Sequence, residues 1–292
     1  MRIIRYRNGE EPCMAAVTDE GKIYTMIDSD FIPFLERIEK AGTTPLEDVN
    51  KLIRSTEPLD RELKSLDLLM PVDAPEVWAA GVTYARSKEA RNYEATDGKM
   101  NAITFYDKVY DAERPELFLK STAARTVGHL DEVCLRSDSS WQVPEPELGL
   151  VLNKRGDIVG YIIGNDMSCR DIEGENPLYL PQAKVWKQSC SIGPIIRLAE
   201  TVQDPYQLQI NLRIYRDGTK VVDESASTGQ LKRKLEELVS FLHRDNIVFD
   251  GTVLLTGTCI VPPNQFTLAP GDLIEIEITS LGTLVNTAVL AN

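Results

Sequence analysis

The 292-residue chain is short of the residues that most often carry catalysis or cross-linking. It has two histidines, His129 and His243, and both read as surface or packing residues. Its five cysteines, an odd number, are scattered at Cys13, Cys134, Cys169, Cys190 and Cys259. They have neither the paired spacing of a zinc site nor that of a disulfide framework, so they read as reduced interior thiols. No apolar run is long enough to cross a bilayer, and Met1 to Tyr6 lacks the basic-then-apolar layout of a signal peptide. A cytoplasmic location is the expectation. Positive charge is also scarce: 32 Lys and Arg face 45 Asp and Glu, a formal charge of −13. That balance repels phosphate backbones and anionic lipids, and so argues against nucleic-acid and membrane partners. A small anionic substrate would then need a local positive centre, which a divalent cation can supply.

What remains is ordinary globular composition, 42% hydrophobic and 26% charged, in a chain long enough for a large core. Residues 1–70 read as a small N-terminal α+β unit, with strand-like pieces at Arg2–Tyr6 and Lys22–Met26 and helices near Phe31–Ala41 and Pro45–Arg54. Two prolines in Leu68 to Pro75 suggest a linker, and residues 71–292 read as the main domain. Val77 to Ala80 predicts a buried strand ending at Gly81. Tyr84 to Lys99 predicts a solvated surface helix over Ala85–Ala95, and Ser87–Asn101 is the candidate lid. From Leu117 onward short β-rich runs recur between turn signals, which makes the fold class α+β and β-rich. Thr228–Leu242 predicts one amphipathic packing helix.

Within Val143-Pro144-Glu145-Pro146-Glu147-Leu148-Gly149 two carboxylates stand two positions apart, so an extended strand projects both from one face. The flanking prolines suggest a sheet edge, a first strand residue or a bulge. Asp166 follows the apolar run Ile158–Gly164, where a strand gives way to polar sequence. Three hard oxygen donors without His or Cys suit Mg²⁺ or Mn²⁺, with Ca²⁺ as the other hard cation, and not zinc.

Phe118-Leu119-Lys120, Pro144-Glu145-Pro146-Glu147-Leu148, Asn165-Asp166-Met167-Ser168-Cys169-Arg170-Asp171, Gln182-Ala183-Lys184 and Thr256-Gly257-Thr258 together resemble the fumarylacetoacetate hydrolase superfamily. Within it, Tyr106 to Ala112, Arg136 to Ser139 and Glu175 to Gln182 resemble the branch of 2-keto-3-deoxy-D-arabinonate dehydratases. The resemblance implies a mixed-sheet catalytic domain, a homodimer, and Mg²⁺ (or Mn²⁺) held by Glu145, Glu147 and Asp166. It implies catalytic roles for Glu116 and Lys184, and substrate contacts for Lys120, Arg170 and Thr258. The substrate it implies is a small 2-oxo acid, dehydrated as a 2-keto-3-deoxy sugar acid. The alternative is C–C hydrolysis of a 2,4-dioxo acid or decarboxylation of oxaloacetate. Hydrolases of the superfamily carry a water-activating His-Glu pair shortly after a Gly-x-x-Tyr element. Here that element is Gly81-Val82-Thr83-Tyr84, and the pair is replaced by Ser87 and Ala90, which weakens the hydrolase alternative.

Overall fold

A computed structural model of the chain describes residues 1–96 and 105–291. Part of the stretch expected to act as a lid, residues 97–101, lies outside the described residues. One mixed sheet runs through the molecule in the order Ile23–Thr25, Glu11–Val17, Arg2–Asn8, Cys190–Leu198, Ile158–Asp166, Pro146–Leu152, Thr252–Thr258, Glu76–Gly81, Glu116–Thr122. A second, five-stranded sheet is ordered Thr219–Ser227, Gln209–Arg216, Leu273–Ile278, Gly282–Leu290, Glu132–Leu135. No helix among the described residues is long and apolar enough to cross a membrane.

The middle strands of the large sheet are buried on both faces, so period-2 alternation divides their side chains between two cores. Leu148, Leu150, Leu152, Tyr161, Ile163 and Leu254 pack toward the five-stranded sheet and the helix Leu235–His243. Val151, Ile162, Val253 and Leu255 face the other way, onto Phe31, Phe34, Leu35 and Ile38 of the helix Phe31–Ala41. That helix and its neighbour Pro45–Ser55 begin and end on local signals. Asp30 accepts from the Ile32 amide at 2.9 Å, Gly42 closes the first helix at φ 63°, and Thr44 with Glu47 forms a capping box on the second.

Two expectations change and one narrows. The run 228–242 is not one helix but a 3₁₀ turn, Thr228–Gln230, an extended connection, and the helix Leu235–His243. Tertiary partners outweigh local propensity there: Lys232 donates its amide to Thr83 O at 3.0 Å, and Arg233 spans to Ala112 O at 2.6 Å and Glu113 O at 3.1 Å. Of the three settings expected for the Glu145-Pro146-Glu147 piece, the first strand residue and the bulge are found and the sheet edge is not. Its strand lies between two others, and Pro146 is tolerated as the first strand residue, followed by a register shift between Glu147 and Gly149. The helix Ala85–Thr96 is not simply solvated, because Ser87, Ala90, Arg91 and Glu94 are buried. The strands Glu11–Val17 and Gly282–Leu290 are further elements that periodicity did not mark.

Candidate active site

Glu145, Glu147 and Asp166 come together at one end of the central strands, their ligating oxygens all within 4.8 Å of one another. Antiparallel pairing brings this about. Pro146 stands opposite Asn165 and Glu147 opposite Gly164, so the start of one strand meets the end of the next. The Asp166 amide donates to Glu145 O at 3.0 Å, and the Glu145 amide donates to Asn165 Oδ1 at 3.2 Å, which locks the two acidic segments together. Glu147 Oε2 accepts from the Gly257 amide at 2.7 Å. Gly257 sits at φ 96° with Thr83 Oγ1 where a Cβ would be, so only glycine can present that amide.

The three acids border a small, tightly packed cavity together with Gly81, Val82, Ser87, Arg91, Phe118, Arg170, Lys184 and Thr258. Lys184 Nζ reaches Glu145 Oε2 at 2.6 Å and Asp166 Oδ2 at 3.3 Å, and it also donates to Ser168 Oγ. Arg170 donates to Glu145 Oε1 at 2.8 Å and to Glu94. Thr258 ends its strand, its hydroxyl lying 2.8 Å from Ile260 O just beyond and 3.1 Å from Pro146 O of the neighbouring strand. Lys120 is fully buried and does not border the cavity. Its Nζ donates to Met167 O at 2.7 Å and to Lys184 O, and it forms an ion pair with Asp166 Oδ1 at 2.7 Å. Glu116 Oε2 is buried without a hydrogen-bond partner among the described residues.

Burial shapes the protonation of every group. It pushes the Glu147 carboxyl well above the usual carboxylate range, and the neighbouring charges of Asp166 and Glu145 push it further. Burial also raises Glu145, against the pull of Lys184, and raises Glu116, against the pull of Arg91. Burial would raise Asp166 too, but Lys120 and Lys184 outweigh it and hold that carboxyl low. For Lys184, burial alone would favour the neutral amine. The charges of Asp166, Glu145 and Glu173 win, and the ammonium is held above its ordinary value. Arg170 is drawn down to about 10 by burial.

Sequence reading did not reach Arg91, Glu94, Ser168 or Glu173. Arg91 pairs with Glu173 at 2.7 Å, while Glu94 takes Arg170. The helix Ala85–Thr96 and the short helix Arg170–Glu175 are thus joined by two crossed ion pairs whose members are all at least nine-tenths buried. One signal was present. Ser87, Arg91 and Glu94 share a face at i, i+4 and i+7 of a helix without an apolar stripe, and such a helix must either stay exposed or bury charge in pairs.

The donor set fits a hard dication. Three carboxylate oxygens converge without nitrogen or sulfur ligands. Among the described residues, the buried cluster sets six carboxylates (Glu94, Glu116, Glu145, Glu147, Asp166, Glu173) against four cations (Arg91, Lys120, Arg170, Lys184). When all are ionised it lacks two positive charges.

A family model for the fumarylacetoacetate hydrolase C-terminal region matches residues 77–289. A probable 2-keto-3-deoxyxylonate dehydratase of Haloferax volcanii is 45% identical over 282 residues, 96% of each chain. The 2-dehydro-3-deoxy-D-arabinonate dehydratase of Saccharolobus solfataricus is 45% identical over 224 residues, covering 77% of this chain and 75% of its own. A solved structure of 2-keto-3-deoxy-D-arabinonate dehydratase, complexed with magnesium and 2,5-dioxopentanoate, superposes with a TM-score of 0.82 at 37% identity over the whole of both chains.

Proposed function

The chain belongs to the fumarylacetoacetate hydrolase family, and we propose that within it the protein is a magnesium-dependent dehydratase of a 2-keto-3-deoxy sugar acid. The observation that carries this reading is the pairing of two protonatable groups, Lys184 and Glu116, with the carboxylate triad, where the hydrolases' water-activating histidine is replaced by Ser87. The Ser87 hydroxyl donates to Tyr84 O at 2.9 Å and accepts from the Tyr84 amide at 3.3 Å, so it serves the start of its helix.

Dehydration needs one proton taken from C3 and one delivered to the departing C4 hydroxyl; the resulting 3,4-enone then loses a proton from C5 and gains one at C3, and the enol so formed ketonises to the 2-oxo semialdehyde. Bound by Glu145, Glu147 and Asp166, magnesium would polarise the 2-oxo group and anchor the acid's carboxylate. Lys184 and Glu116 divide the first two proton transfers between them. Lys184 is kept charged and is held by Glu145, Asp166 and Ser168. Glu116 is seated in a low-dielectric wall that makes its carboxyl easier to protonate. Arg170, on the cavity wall and tied to Glu145, orients the substrate carboxylate, and Thr258 shapes the floor beside Glu147. Lys120 acts behind the site by fixing Asp166.

The same reading takes Mn²⁺ as the alternative ion, a homodimer as the working unit, and the cytoplasm as its place. We take residues 1–70 as an N-terminal unit and 71–292 as the catalytic domain, which is in keeping with a family match that begins at residue 77.

The test is turnover of 2-keto-3-deoxy-arabinonate and 2-keto-3-deoxy-xylonate by the purified, magnesium-loaded protein. The expected product is a 2-oxo semialdehyde. Release of pyruvate alone from the sugar acids would overturn the dehydratase reading in favour of retro-aldol cleavage, and cleavage of 2,4-dioxo acids with no action on the sugar acids would overturn it in favour of C–C hydrolysis.

A further inference from the structure

Gly81 is the last residue of the strand Glu76–Gly81, and antiparallel pairing sets it directly opposite Glu116. Residues facing each other across an antiparallel pair project to the same side, so the Glu116 side chain lies over position 81. A strand glycine is weakly stabilising and needs a reason. Backbone conformation is not that reason, because Gly81 is absent from the residues with positive φ. The reason is space. A Cβ on Gly81 would lie 1.8 Å from Glu116 Oε2 and 2.5 Å from its Cδ. Among the described glycines only Gly257 is as tightly approached, and its φ of 96° already demands glycine.

We propose that Gly81 is a positioning residue for catalysis: its missing side chain is the notch that seats the Glu116 carboxylate against the cavity beside Glu145, Glu147 and Asp166. Gly81 borders that cavity. The clashing atoms are the far end of a flexible side chain, so alanine at this position moves the carboxylate while the strand stays where it is. The proposal rests on the reading of Glu116 as a proton-transfer group, and its test separates the two.

Gly81→Ala is expected to lower kcat about 100-fold, with KM, Mg²⁺ affinity by titration calorimetry and melting temperature close to those of the parent. In a double-mutant cycle, Gly81→Ala combined with Glu116→Gln should be no slower than Glu116→Gln alone, because the seat matters only while its occupant does. Losses that multiply would overturn the proposal. So would a crystal structure of Gly81→Ala with the Glu116 carboxylate unmoved. Full activity in Glu116→Gln would remove the catalytic reading of Glu116, whereas displacement of the carboxylate in that crystal would still establish the seat. If Gly81→Ala fails to fold, adding Glu116→Ala must restore folding, and failure to do so would count against the proposal.

Discussion

At the scale of single residues, the site depends on buried charges held by specific partners. Lys120 satisfies Met167 O, Lys184 O and Asp166 at once while entirely buried. Lys120→Met should therefore cost about 3 kcal/mol or more in urea denaturation, because it leaves a buried carboxylate and two carbonyls without their donor. A loss below about 1 kcal/mol would show that Lys120 does not fix Asp166. His129 gives a pH signature remote from the site. Its Nδ1 accepts from the Val285 amide at 3.1 Å, and burial holds its pKa below the ordinary 6.5. A base whose folded pKa is depressed contributes its full stability above the unfolded value. That contribution fades as pH falls from about 6.5 toward the depressed value, where the unfolded chain binds the extra proton. His129→Asn keeps an acceptor but cannot titrate there, so its melting temperature should fall less steeply than the parent's between pH 7 and pH 5. Equal slopes would refute the assignment. The grouping of Glu145, Glu147 and Asp166 was legible because the family resemblance tied Asp166 to a Glu-x-Glu pair that is a weak signal by itself, and the structure brings the three acids together. Glu173 and Arg91 were not readable, because each has meaning only through the other and 82 positions separate them.

At the scale of elements, sequence periodicity served where one face carries the signal and failed where partners decide. The helices Phe31–Ala41 and Pro45–Ser55 announce themselves through caps and apolar spacing. The strand Glu11–Val17 does not, since its buried run Met14 to Val17 alternates with nothing. Thr228 to Leu242 shows the reverse failure, a good helical pattern interrupted because Lys232 and Arg233 find better acceptors in the 110–113 segment. The helix Ala85–Thr96 owes its place to charge, not to an apolar stripe. Arg91→Leu would strand Glu173 in the interior and loosen this helix from Arg170–Glu175. Hydrogen exchange of its amides should quicken about tenfold or more while the strand Pro146–Leu152 keeps its protection. Unchanged exchange would show that the crossed pairs do not hold the helix.

At the scale of the whole molecule, the large sheet crosses the proposed boundary near residue 70. Arg2–Asn8 pairs with Cys190–Leu198, and helices from the N-terminal unit cover one entire face of the central strands. Expression of 71–292 alone would bare that face and the edge of Cys190–Leu198, so the fragment is expected to aggregate; a monodisperse, folded fragment would contradict this. The buried cluster makes a further prediction about the intact chain. At free Mg²⁺ near 100 times its dissociation constant, unfolding should cost about 2.7 kcal/mol more than after chelation, read as a rise in melting temperature. No rise would argue against an ion at the triad.

With every group ionised, an interior two positive charges short would behave as a valence counter. Sodium or potassium would leave the balance half corrected, and a lanthanide would overshoot it, so each should protect the fold less than its affinity for loose carboxylates suggests. Selectivity for doubly charged ions would then be written into the protein's arithmetic, before the size of the ion is ever consulted.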